Sequence, residues 1–149
     1  MQAASVLRII LCVGAMGAAL PVVAQSSRIT LNAGIYLAHV EVANTMPTRM
    51  EGLMFRRTMA ANDGMLFVFD TVERHCMWMK NTYLPLSVAF IDERGVIVSI
   101  SDMEPHSEQN HCAARPARYA LEMNRGWFSD RGLKAGAHLG GLDKAPPPR

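Results

Sequence analysis

The densest run of chemically capable side chains is residues 75–82: His75, Cys76, Met77, Trp78, Met79, Lys80, Asn81 and Thr82. In a strand, alternate side chains take opposite faces, so His75, Met77 and Met79 share one side and Cys76, Trp78 and Lys80 the other. Two thioethers and an imidazole make a soft donor set suited to Cu(I), and a nearby indole could cap the ion through a cation–π contact. Methionine is also an adaptable core filler. Core packing is the simpler reading, so no cofactor is expected and Cu(I) stands as the alternative. Lys80, Asn81 and Thr82 supply a charge, an amide and a hydroxyl. At the mouth of a small barrel, with Trp78 lining the same pocket, they would orient a ligand. The same residues also suit a tight turn, satisfying backbone groups.

A second candidate is Glu122, a carboxylate in a stretch of otherwise apolar and small residues. Facing an interior it needs a partner, and Arg56, Arg49 or Lys80 could provide one. It reads either as half of a structural ion pair or as a functional acid or base. The segment 104–116 holds Glu104, His106, Glu108, His111 and Cys112, all metal-ligand types. Their spacing matches neither a Cys-x-x-Cys nor a His-Glu-x-x-His site, and the segment reads as a solvated loop. No Gly-x-Ser-x-Gly, phosphate loop or dinucleotide fingerprint is present.

The compartment sets what these groups can do. Arg8 precedes an apolar run over residues 9–23, and Val22-Val23-Ala24 offers a cleavage site before Gln25. That is the layout of a signal peptide, here residues 1–24. The run is shorter than the roughly 20 residues a membrane span needs, so no stable span is expected after cleavage. Cys12 lies inside the run and leaves with it. Cys76 and Cys112 then remain, and in an oxidising compartment an even pair favours a disulfide. Two free thiols, or one serving as a metal ligand, are the competing readings. The protein is expected in the periplasm or secreted. Basic residues number 15 against 13 acidic and are scattered, without the clustered face that nucleic-acid binding requires.

These groups must be positioned by one domain over residues 25–139. Strands are predicted over 29–31 and 36–42 around Asn32-Ala33-Gly34, with Tyr36, Ala38, Val40 and Val42 on one face. Asn44 or Thr45 caps a short helix, with Pro47 in its first turn and Met46, Met50, Leu53 and Met54 as its apolar stripe. Residues 65–69 form a strand buried on both faces. A hairpin joins 87–91 to 96–103 through Asp92-Glu93-Arg94-Gly95. A strand over 119–123 places Glu122 opposite Tyr119, Leu121 and Met123. Residues 126–131 suggest a helical turn and 132–139 a turn with a closing strand. Residues 140–149, with three consecutive prolines, are expected to be a disordered tail. The fold class is mainly β (α+β): a small barrel-like rolled sheet of about seven or eight short strands with one or two short helices. Closing the sheet would remove exposed edges.

The blocks Gly52-Leu53-Met54-Phe55-Arg56, Gly64-Met65-Leu66-Phe67-Val68-Phe69, Met77-Trp78-Met79-Lys80-Asn81-Thr82, Pro85-Leu86, Phe90-Ile91-Asp92 and Tyr119-Ala120-Leu121-Glu122 resemble, in order and spacing, the domain of unknown function 192 family over residues 38–139. The resemblance implies a small β-rich, barrel-like fold, often exported in bacteria, without an agreed activity or catalytic residues. The family often has Gly-Asp near the end, where this chain has Gly136-Ala137, so a carboxylate role there is not carried over. The leading functional expectation is a small-molecule or peptide binding module of the cell envelope, edged by Trp78, Lys80, Asn81, Thr82, Glu122 and Arg56. The alternatives are an envelope enzyme using Glu122 as acid or base, and soft-metal binding through His75, Met77 and Met79.

Overall fold

The structure is a computed structural model that describes residues 27–149. The leader read from residues 1–24 lies outside the described residues. Eight strands and one α-helix make a mainly β fold: β1 (Arg28–Ala33), β2 (Tyr36–Ala43), α1 (Met46–Glu51), β3 (Asp63–Glu73), β4 (Cys76–Met77), β5 (Leu86–Ile91), β6 (Ile97–Met103), β7 (His111–Cys112) and β8 (Ala117–Asn124). Six strands form one sheet in the order β1-β2-β3-β8-β5-β6, and β4 pairs with β7 separately. Only β2 and β3 run parallel, which requires a crossover; α1 lies within it. Among the described residues no helix is long and apolar enough to cross a membrane.

Strand alternation divides the apolar side chains into two cores. Leu66, Val68, Ala89, Ile91, Leu121 and Met123 enter one, with Trp127 and Phe128. Met65, Phe67, Val88, Phe90, Ala120, Met77 and Met79 enter the other. A strand covered on both faces reads as a continuous hydrophobic run, and β5 is buried at every position. β8 lies between β3 and β5, so its side chains have apolar cover on both sides and both edges.

The sheet is rolled without closing through its named strands, because β1 and β6 remain its edges. Residues 136–140 reach both of them: Gly136 N–H donates to the Ile97 carbonyl at 2.8 Å and Gly140 N–H to the Asn32 carbonyl at 2.8 Å. This occupies part of each edge without forming a regular strand. The tail is not the free segment its prolines suggest. Leu142–Lys144 forms a 3-10 turn, and Leu142 and Ala145 pack against the first core. The buried Asn44 amide donates to the Pro147 carbonyl at 2.7 Å, while Arg149 N–H donates to the Asn44 carbonyl at 2.7 Å. A proline run is extended before it docks, so ordering it costs little chain entropy.

α1 also departs from expectation. Thr45 caps it and bonds reciprocally with Thr48, but the helix stops at Gly52, which adopts φ 51°. Its inward side carries Arg49 and then Leu53 just past its end, while Met46 and Met50 are 60% and 61% exposed. The apolar stripe points outward because Arg49 is the side chain bonded to the sheet: it donates to the Val68 carbonyl at 3.0 Å and to Asp70 at 2.9 Å.

Candidate functional site

Glu122 sits at the centre of the second core. In register it faces Met65 on one neighbouring strand and Val88 on the other. It is 3% exposed. Its carboxyl has neither ion pair nor hydrogen bond among the described residues, although no fully buried polar atom is orphaned. The space it meets is a cavity of about 30 Å³ shared with Leu53, Phe67, Met77, Trp78 and Thr82. That is room enough to hold a water molecule. Burial among apolar side chains disfavours the charged form and pushes the pKa up to about 8. At neutral pH the group is a carboxylic acid, able to donate one hydrogen bond.

None of the three expected counter-ions reaches it. Arg56 instead makes a forked pair with Glu41, both contacts at 2.6 Å, and that hydrogen bond raises its own pKa. Arg49 borders the cavity but turns its guanidinium to Val68 and Asp70. Lys80 is exposed, with its Nζ 5.2 Å from the centre of the Trp78 ring. The ion-pair reading of Glu122 therefore has no support in the structure, and Arg56 stands apart from the cavity that Trp78 and Thr82 line.

Beside the small cavity a groove of about 360 Å³ opens between α1 and strands β3 and β4. Phe67, Met77 and Trp78 line both, so the groove adjoins the small cavity that holds the carboxyl. Met46 and Met50 form one rim, while Phe69, His75, Cys76 and Trp78 line the rest. Arg49 and Asp70 place an ion pair in its wall. His75 stacks on Phe69 with ring centres 3.7 Å apart, and its Nε2 donates to the Thr71 carbonyl at 2.9 Å. Cys76 and Cys112 are directly opposed in the β4–β7 ladder and joined by a disulfide, with S–S 2.00 Å. The cystine ties the 104–116 segment, expected to be loop throughout, to the side of the groove.

Burial alternates over residues 77–80, with Met77 and Met79 inside and Trp78 and Lys80 outside, but the strand covers only Cys76–Met77, and His75, Cys76, Met77 and Trp78 all line the groove. Met79 is wholly buried in the core, away from the groove that holds His75 and Met77. Thr82 is 5% exposed and lines the small cavity, donating to the Lys80 carbonyl at 3.2 Å. Asn81 serves the turn: it adopts φ 54° and its carbonyl accepts from Phe55 N–H at 2.9 Å. Met46, Met50, Arg49 and Asp70 were not anticipated as site residues. A clue lay in Arg49 preceding Leu53 by four residues, one helical turn.

A larger hollow of about 510 Å³ lies along β6, lined by Ser87, Asp102, Ser129 and Lys134 among others. Its carboxylate is already engaged: Ser87 Oγ donates to Asp102 at 2.5 Å, and Gly126 N–H donates to Ser87 at 3.0 Å. The groove beside Glu122 is the better candidate, because it alone of the two adjoins a buried ionisable group that has no ion pair or hydrogen bond among the described residues.

The DUF192 family profile, described as "Uncharacterized ACR", matches residues 28–141. A protein from Sinorhizobium meliloti 1021, described as a candidate transcription regulator, is 39% identical, with TM-score 0.70, over 77% of this chain and 92% of that one. A protein of unknown function from Novosphingobium aromaticivorans DSM 12444 is 26% identical, with TM-score 0.75, over 85% of this chain and 94% of that one. No curated protein matches the chain.

Proposed function

This chain belongs to the DUF192 family, and from that premise we propose that it is a binding module of the cell envelope. Its ligand is a small molecule or short peptide with an apolar body and a hydrogen-bond acceptor. The apolar part lies between Met46, Met50, Phe69 and Trp78, and the acceptor points towards the Glu122 carboxylic acid. The observation that carries this is the neutral carboxyl, without ion pair or hydrogen bond among the described residues, in a small cavity that adjoins an apolar groove. A buried polar group without a partner is costly to leave unmet, so a ligand that satisfies it gains specificity. Exposed methionines suit such a surface, since flexible thioethers adapt to varied shapes.

The leader pattern of residues 1–24 and the cystine support a location in the periplasm or outside the cell. Nucleic acid is not the partner in this reading. Arg28, Arg49, Arg56, Arg118 and Arg125 each already pair with a carboxylate, leaving no continuous positive face built from them.

The raised pKa of Glu122 also favours a second reading, an enzyme in which this group transfers a proton near neutral pH. One experiment separates them. A thermal-shift screen of apolar carboxylates, amides and short peptides, run on the wild type and on Trp78→Ala, should find a ligand that stabilises only the wild type. Turnover of that ligand, following a group near pH 8 and lost in Glu122→Gln, would establish the enzyme. Stabilisation without turnover establishes the binding module. A ligand whose contacts lie away from the groove would contradict both.

A further inference from the structure

Among the described residues, three that are not glycine have positive φ: Phe55 at 63°, Asn81 at 54° and His106 at 60°. They are far apart in sequence but meet at one turn. Phe55 N–H donates to the Asn81 carbonyl at 2.9 Å, and His106 N–H donates to the Thr82 carbonyl at 3.1 Å. Met79 N–H fastens the same turn to Ser107 at 2.9 Å. Asparagine visits this conformation readily, but a phenylalanine there crowds its Cβ against the backbone. Core packing does not offset that strain, because Phe55 is 59% exposed. The turn also presents Tyr83 at 41% and Trp78 at 38% exposure.

Each of the last two rings has a cation over one face. The Arg57 guanidinium lies 5.2 Å from the centre of Tyr83, and Lys80 Nζ lies 5.2 Å from the centre of Trp78. His106 meets Tyr83 edge-on at 4.9 Å. Neither Arg57 nor Lys80 has a carboxylate partner among the described residues. The patch thus combines two partly exposed rings, each with a cation over one face and the other face left for a ligand.

We propose that this patch binds an acidic polysaccharide, a chain of sugars carrying carboxylates. The apolar C–H face of a sugar ring stacks on the aromatic face opposite the cation, and a carboxylate at the sugar's edge reaches round the ring to that cation. Successive sugars repeat that combination, as Trp78 with Lys80 and Tyr83 with Arg57 repeat it here. An acidic peptide matches the charge but lacks repeating flat apolar faces. It would also seek a strand edge to pair with, and residues 78–85 are not in a strand. The patch is distinct from the groove over Glu122 and meets it only at Trp78.

The test is native electrophoresis of the protein in gels containing polygalacturonate, amylose or polyglutamate. Polygalacturonate should retard the protein, whereas neutral amylose and charge-matched polyglutamate should do so at least about tenfold more weakly. Tyr83→Ala and Lys80→Gln should each weaken the effect about tenfold, the size of one lost stacking or charged contact. Tyr83→Phe, which keeps the ring, should retain binding and control for folding. Glu122→Gln should leave it unchanged, which separates this patch from the groove. Absence of retardation by polygalacturonate would overturn the proposal. Equal retardation by polyglutamate, or full binding by Tyr83→Ala, would do the same.

Discussion

Replacing Glu122 with glutamine keeps the shape of the side chain and removes its titration. The unfolded chain loses this proton above its ordinary value of 4.5, whereas the native protein keeps it until about pH 8. Between those values the native state binds one more proton than the unfolded state, so stability falls as pH rises. The slope is about 1.4 kcal/mol per pH unit, which amounts to about 5 kcal/mol across the window. Below pH 4 and above pH 9 this group adds no further slope. Glu122→Gln should lack that decline. The five histidines are common to both proteins, so subtraction cancels their background. Urea unfolding at constant ionic strength from pH 4 to 9 measures the difference directly. The glutamine variant should gain steadily on the wild type from pH 5 to 8, then hold its lead. Parallel stability curves over that interval would mean instead that Glu122 ionises alike in the native and unfolded states.

Other perturbations test the frame around the site. Arg49→Ala removes the donor to the Val68 carbonyl and to Asp70; a loss of about 1–3 kcal/mol is expected by urea unfolding. Gly64→Ala would drive a Cβ into the Glu122 carbonyl and the Met123 sulfur. It should cost about 1–3 kcal/mol and shift the Glu122 titration, readable by carboxyl NMR. Replacing both Cys76 and Cys112 with serine opens a link between residues 36 apart, worth about 3–4 kcal/mol on the chain-entropy model; denaturant midpoints report it. Deleting residues 145–149 leaves the buried Asn44 amide without its Pro147 acceptor. A loss of about 1–3 kcal/mol should follow, seen as a lower thermal midpoint.

What the residue pattern revealed follows its physical scale. Period-two alternation exposed β2 and β8, including Glu122 on the face opposite Leu121 and Met123. The continuous run at 65–69 announced a strand buried on both sides, although β3 extends further at each end. Paired strands of two residues have no period, so β7 was hidden within a polar segment. The helix misled for a different reason. Its methionines had the spacing of an apolar stripe, but contact with the sheet is made by Arg49, whose long side chain reaches backbone and carboxylate together. The exposed methionines then became the groove's rim.

Of the candidate site, Trp78, Thr82 and Glu122 were legible and do converge on one cavity. Asn81 contributes through its backbone, and Arg56 is claimed by Glu41, a contact that sequence separation could not reveal. The Cys76–Cys112 pair followed from cysteine count and the expected compartment. Its place against the groove depended on where the 104–116 segment folds back.

Carboxyl carbon-13 NMR of the intact protein provides the most direct measurement, with Glu122 identified by the resonance missing in Glu122→Gln. The carboxyl should be protonated at pH 7 and ionise near pH 8. A Glu122 resonance that titrates with ordinary surface glutamates near pH 4.5 would contradict this.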